Sequence, residues 1–167
     1  NTQFNYYMDS VDVSGFENIY SPLNNKANGN RLEFKTLYQS SFPIEFGLTL
    51  SYQNAKWTAN DSDINLNSFS FGPSFNYKFY THEYFNLNAN LGAEINPLFQ
   101  TKSDTSKENY SAFSYSLGVS AIFPTMFGNF NLGAQYRNSN INLSDSTMSS
   151  PSGFAKNDFA ISSLGFM

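Results

Sequence analysis

The sequence predicts an all-β fold, a transmembrane antiparallel up-and-down barrel of eight strands, and three observations point to it. The first is a strict period of two: Phe69, Phe71, Pro73, Phe75, Tyr77 and Phe79 alternate with Ser70, Gly72, Ser74, Asn76 and Lys78. A run this long has the length of a tilted membrane-spanning strand with one apolar and one polar face. The second is composition. The 167 residues include 18 Phe and 11 Tyr, more aromatic rings than a core of this size needs, yet hydrophobic residues make up only 40%. No stretch approaches the roughly 20 continuous apolar residues of a membrane helix, whereas a barrel strand dilutes each apolar residue with a polar neighbour. The third is the rhythm of the connections. Short turns at 40–43, 80–84 and 124–129 alternate with long segments rich in Asn, Ser, Asp, Thr and Lys at 14–30, 54–67, 97–110 and 138–157. Short periplasmic turns and longer extracellular loops are the pattern of outer-membrane barrels, and an even strand count leaves both termini on the short-turn side.

The elements follow in order. Strand one, 3–13, places Phe4, Tyr6 and Met8 on one face, but Val11 and Val13 fall on the other, which predicts a bulge or an early end. Strand two, 31–39, sets Leu32, Phe34, Thr36 and Tyr38 against Glu33, Lys35 and Gln39. Strand three, 44–53, sets Ile44, Phe46, Leu48, Leu50 and Tyr52 against Glu45, Gly47, Thr49, Ser51 and Gln53. The Phe69 run is strand four. In strand five, 85–96, Phe85, Leu87, Ala89, Leu91, Ala93 and Ile95 oppose a face of Asn86, Asn88, Asn90, Gly92, Glu94 and Asn96. Strand six, 113–123, carries Phe113, Tyr115, Leu117, Val119 and Ala121 between serines and Gly118, and strand seven, 130–137, alternates Phe130, Leu132, Ala134 and Tyr136 with polar residues. Strand eight, 158–167, is ambiguous in phase. The whole, 1–167, is expected to form a single outer-membrane barrel domain.

A soluble sandwich or lipocalin-like ligand-binding barrel also alternates. Its solvated face would be rich in Lys, Glu and Thr, whereas here the polar face is mostly Gly, Ser, Asn and Gln, which suits a narrow, filled barrel interior. Aromatic residues gather near expected strand ends: Tyr77, Phe79, Tyr84, Phe85, Phe123 and Phe127 below, and Tyr52, Trp57, Tyr110, Phe113 and Tyr136 above. Two such girdles mark membrane interfaces. At the C-terminus Phe159, Ile161, Ser163, Gly165 and Met167 alternate, with the last aromatic at Phe166. The chain thereby resembles, in architecture along its whole length, the small eight-stranded outer-membrane barrels, the group of the OmpA transmembrane domain, OmpX and the opacity proteins. The resemblance implies a bacterial outer-membrane location and assembly through that terminal strand.

The polar face carries six charges, Glu33, Lys35, Glu45, Lys78, Glu94 and Arg137. Glu45 and Lys78 should meet near the periplasmic end, and Arg137 is the expected partner of Glu94 or Glu33. An unpaired buried charge costs several kcal/mol, so the set is read as a network that plugs the barrel, since eight strands leave an interior only just wide enough for side chains. The alternative is a narrow channel, or a lateral-diffusion transporter for small apolar molecules. A lateral opening needs a break in the ladder, for which Pro73, unable to donate, is the candidate.

Catalytic residues, cofactor and metal are all expected to be absent. The only histidine is His82, in a short turn, away from the outer-leaflet side where a lipid substrate would sit. Asp61, Asp63, Asp104 and Glu108 match no cation-binding spacing, and with no cysteine a thiolate site is impossible. The net charge of −4 and scattered basic residues argue against nucleic acid. Lys26, Arg31, Lys102 and Lys107 suit lipopolysaccharide phosphates. No basic and apolar leader opens the sequence, which is read as the mature form of a secreted protein. The functional expectation is a monomeric, non-enzymatic barrel in contact with outer-membrane lipid and lipopolysaccharide, offering its four long loops to an extracellular protein or surface ligand.

Overall fold

The computed structural model describes residues 2–16, 26–39, 43–59, 62–103, 107–126, 128–142 and 159–167. Its strands are β1 (Thr2–Asp12), β2 (Lys26–Gln39), β3 (Ile44–Ala59), β4 (Ser62–Thr81), β5 (Asn86–Lys102), β6 (Lys107–Thr125), β7 (Gly128–Asn142) and β8 (Phe159–Phe166), with a 3-10 turn at Ser14–Phe16 after β1. Each strand pairs antiparallel with its sequence neighbour, and β8 returns to β1, so the sheet is a closed barrel. Closure runs through Met8–Asp12 against Ser162–Phe166. Nearer the short-turn end, Asn131 on β7 donates to Asn5 on β1 (3.4 Å).

The strands alternate because period two puts successive side chains on opposite faces. Phe4, Phe34, Leu48, Phe75, Leu117 and Leu132 are exposed outside, while Asn5, Glu33, Thr49, Asn76, Ser116 and Gln135 are buried inside. A soluble ligand-binding barrel would have these faces the other way round. On β4 the outward apolar run from Phe69 to Phe79 climbs ~25 Å at a tilt of about 40°, the height of a barrel's lipid-facing band.

Above this band the alternation continues with its sign reversed, and it does so on all eight strands. Moving toward the long-connection end, the inward residues change from Asp9 to Val11, Arg31 to Ala27, Gln53 to Ala55, Ser68 to Leu66, Asn96 to Phe99, Ser114 to Ala112, Ser139 to Ile141 and Ser163 to Ile161. The outward residues change from Tyr52 to Asn54, Phe69 to Asn67, Leu98 to Gln100 and Tyr136 to Asn138 at the same level. Below the exchange the barrel is built for hydrocarbon outside, and above it for water.

This exchange corrects the expected loops. Of residues 54–67, those to Ala59 lie in β3 and those from Ser62 lie in β4, and most of 97–110 lies in β5 and β6. Segment 14–30 gives way to β2 at Lys26, and β7 continues to Asn142. Residues 17–25, 104–106 and 143–158 lie outside the described residues. Strand one has no bulge at Val11: β1 stays in register with β2 through Asp12, and the valines face inward because the pattern has changed sign. A bulge does occur on β5, where Pro97 and Leu98 stand against the single residue Ser111 of β6. The extra residue shifts the phase, leaving Leu98 outside and Phe99 inside.

Candidate functional site

Two stacked layers of inward side chains lie in the lumen. In the polar layer, Arg137 reaches across from β7 and places Nη1 3.1 Å from Glu94 Oε2, with both side chains buried. The same guanidinium donates to Ser51 Oγ on β3 (2.9 Å), Ser70 Oγ on β4 (2.8 Å) and Asn96 Oδ1 on β5 (3.1 Å). Ser51 and Ser70 also bond Glu94 Oε2, and Asn96 donates to Ser114 Oγ (2.6 Å), which bonds Ser139. One cation thus ties five strands together through small side chains, and these are the Ser and Asn positions that a filled interior requires.

A second cluster lies against β1 and β2. Lys35 Nζ sits 2.8 Å from Glu33 Oε1, which also accepts from Asn5 and from the Tyr7 hydroxyl, both at 3.1 Å. Arg31 lies over the Tyr7 ring at 4.3 Å and 3.5 Å from Asp9 Oδ1, and Gln53 donates to Asp9 Oδ2 at 2.7 Å. Arg31 and Asp9 were not among the expected interior charges. Their position on the strands' inward phase was the available signal, masked for Arg31 by its place at the edge of an expected loop. Arg31 is therefore not a surface cation for lipid phosphates; it is fully buried. Glu45 is inward and accepts from Asn76 at 3.4 Å, while Lys78 is half-buried near the same end.

The apolar layer lies above. Val11, Val13, Phe16, Trp57, Ile64, Leu66, Phe99, Tyr110, Ile141 and Ile161 form one buried cluster with Ala27, Ala55 and Ala112. The 3-10 turn after β1 bends the chain inward and drops Phe16 onto Trp57, with ring centroids 5.6 Å apart. That turn is held by Asp12 Oδ1, which accepts from the Ser14 backbone N–H at 3.0 Å and is thereby held below the usual carboxylate range.

Trp57 and Tyr110, expected in the upper aromatic girdle, are therefore corrected: they are 4% and 3% exposed and point inward. Trp57 keeps the inward phase of Ser51 and Gln53 because β3 continues unbroken, and Tyr110 keeps that of Ser114 on β6. Tyr52, Phe113 and Tyr136 do face outward above, as do Tyr77, Phe79 and Tyr84 below. Phe85 and Phe123 are half-buried, in a row of tilted rings with Phe130, and Phe127 lies outside the described residues. His82 is exposed among Tyr80, Tyr84 and Phe85 in its turn. Asp63 pairs with Lys56 (2.6 Å) on the outer surface of the β3–β4 hairpin, and this neighbour lowers its carboxyl's affinity for protons. Asp61 and Asp104 lie outside the described residues. The β4–β5 ladder has no paired positions at Gly72 and Pro73, yet a Cβ on Gly72 would collide with Ala93 O, so the two backbones lie in close contact there.

On the outside, the exchange of pattern creates two ordered polar rows. Asn30, Asn54, Asn67, Gln100 and Asn109 are successive cross-strand neighbours from β2 to β6. Asn54 donates to Asn67 (2.8 Å) and Gln100 to Asn109 (2.6 Å), while the hydroxyls of Tyr6 and Tyr52 rise from the apolar band to Asn30 and Asn67. One step higher, Lys56, Asn65, Lys102 and Lys107 are likewise consecutive neighbours.

No family model matches the chain, and no curated protein does. Among solved structures, it is similar to the crystal structure of Ail, the attachment invasion locus protein of Yersinia pestis, at 19% identity over 99% of this chain and 93% of that one, with a TM-score of 0.41. The same Ail in complex with the heparin analogue sucrose octasulfate gives 19% identity, 99% and 94% coverage and a TM-score of 0.41. Its backbone structure in a phospholipid bilayer nanodisc gives 19% identity, 99% and 97% coverage and 0.38. The architecture described above rests on the strand pairing itself.

Proposed function

We propose that this chain is an integral barrel of a bacterial outer membrane, monomeric and non-catalytic, whose sealed interior makes it a rigid platform for the segments it raises above the lipid surface. The observation that carries the reading is the reversal of sidedness on all eight strands at one level. An apolar outer band below that level matches hydrocarbon, and closure removes the edges that hydrocarbon cannot satisfy. The protruding part is water-facing sheet around an apolar core, which holds its connections on stiff strands and suits contact with an extracellular partner. Sealing is supported by the Arg137–Glu94 centre and by the Phe16–Trp57 stack above it. The outward apolar face supports contact with outer-membrane lipid and lipopolysaccharide. In the test, the purified chain is refolded with and without detergent micelles, and boiled and unboiled samples are compared on an SDS gel. A heat-dependent mobility shift that needs detergent, followed by absence of steady conductance in planar bilayers, is expected. A monomeric β-protein folding without detergent would overturn the membrane reading, and stepwise ion currents would overturn the seal.

A further inference from the structure

We propose that Gly165 is a register key which, with Asp9, Arg31 and Gln53 behind it, selects the one alignment of β8 on β1 that closes the barrel. The key acts through the closing ladder alone, whether or not the outer face meets lipid. In a closed sheet stagger, tilt and width are linked, so the offset at the closing pair sets the shape of the whole lumen. Every other neighbouring pair is consecutive in sequence, whereas no turn joins β8 to β1. Alternation does not set the offset either. Met8 stands opposite Phe166, Asp9 opposite Gly165 and Val11 opposite Ser163. A slip of one residue would turn the inward side chains outward, but a slip of two keeps every face. It would set Val11 against Ile161 and Met8 against Leu164, apolar on apolar both times.

The space at Gly165 excludes that slip. A Cβ there would collide with Asp9 Oδ1, and would stand 3.0 Å from Arg31 Nη2 and 3.2 Å from Tyr7 Cβ. Gly165 is the one glycine of β8, and a two-residue slip puts Ser163 or Met167 in its place opposite Asp9. The carboxylate is held in the way from both sides. Gln53 on β3 donates to Oδ2 at 2.7 Å, and Arg31, seated 4.3 Å from the Tyr7 ring, faces Oδ1 at 3.5 Å, with all three side chains buried. The same Gln53 Nε2 donates to Ser163 Oγ at 3.4 Å. One amide on β3 therefore grips both strands of the seam, and the slip would carry Ser163 ~7 Å along the strand away from it.

The chain has no cysteine, so introduced thiols report the register directly. M8C/F166C joins outward residues that are partners in this structure, and M8C/L164C joins those that a two-residue slip would bring together. The full chain is refolded in detergent micelles and oxidised, and the cross-linked fraction is read on an SDS gel. With Gly165 in place, M8C/F166C should exceed M8C/L164C by about tenfold, since direct partners lie near disulfide reach and diagonal ones do not. G165A should reverse that preference or leave no folded barrel. D9A/R31M/G165A, which clears both polar contacts from the space at once, should return a folded barrel that cross-links through M8C/F166C again. A folded G165A barrel that keeps the M8C/F166C preference would overturn the key, and so would a loss that D9A/R31M does not repair.

Discussion

Arg137 and Glu94 meet inside the barrel with Nη1 and Oε2 3.1 Å apart, on strands separated by β6, and the guanidinium extends to Ser51 and Ser70 on β3 and β4. The pair is a crossbar, because no two of these strands need be adjacent for the cation to hold them at a fixed separation.

Arg137→Ala should therefore destabilise the barrel by ~3–5 kcal/mol, the cost of leaving a buried carboxylate without its cation. Glu94→Gln keeps the shape and the serine contacts and should cost less, about 1–3 kcal/mol. Replacing both with Leu and Met should cost less than Arg137→Ala alone. Urea unfolding in detergent or bilayers measures all three. Equal losses for the single and double variants would deny the pairing its energetic role.

Phe16→Ala removes the ring that caps the apolar layer. Truncating a fully buried Phe costs ~3–5 kcal/mol, and here the loss should fall on the protruding part rather than on the lipid-facing band. Trp57 is the single tryptophan, so its emission should shift to the red on the substitution while the gel mobility shift is retained. Unchanged emission would remove Phe16 from contact with Trp57.

Lowering the pH should loosen the same cap. Asp12 is held below the ordinary carboxylate range, chiefly by the Ser14 backbone N–H. A carboxyl with a depressed folded-state pKa contributes stability that is fully present above its unfolded pKa of about 3.9 and is lost as pH falls through the folded value. Trp57 fluorescence in the wild type should therefore begin to change below about pH 4, and Asp12→Asn should show the loosened signal already at neutral pH. The same acid titration of Asp12→Asn should be flatter.

Gly47→Ala should lower stability by ~1–3 kcal/mol, because the added Cβ would collide with the backbone carbonyl of Thr36 on β2. Gly92→Ala should be milder, since there the nearest atom is the side-chain hydroxyl of Ser116 at 2.6 Å and not a backbone atom. Unfolding midpoints compare the two directly, and the reverse order would contradict the close approach of β2 and β3 at Gly47.

Much of the barrel was legible in the sequence because lipid enforces a strict alternation. Ile44 to Tyr52 and Phe69 to Phe79 read as strands without a break, and the shared phase of Glu33, Glu94 and Arg137 on the polar face follows from it. What escaped is the part above the membrane. Asn54, Ala55, Lys56, Trp57 and Thr58 alternate as regularly as the residues before them, but with apolar side chains on the opposite phase. A reader following one sign through the strand sees the pattern stop at Gln53 and takes the rest for a loop. The same mistake sent Trp57 and Tyr110 to the girdle and turned Val11 into a bulge. Arg31 escaped for a related reason: charge at the edge of an expected loop suggests solvent, whereas the strand was already well under way. The β5 bulge had a local cue in Pro97, but the cue alone does not say which way the phase will shift.

The reversal of sidedness also sets how deep the molecule sits. Each strand offers the bilayer one choice of height, and moving from one row to the next shifts the whole body by ~5 Å along the membrane normal at a tilt of about 40°. Sinking by a single row would bury five carboxamides in hydrocarbon, and rising by one would strand five apolar side chains in water. Immersion is therefore stepped rather than continuous, with eight strands voting for the same step. A thicker or thinner bilayer has to deform around this protein, because the protein has no intermediate level at which to float.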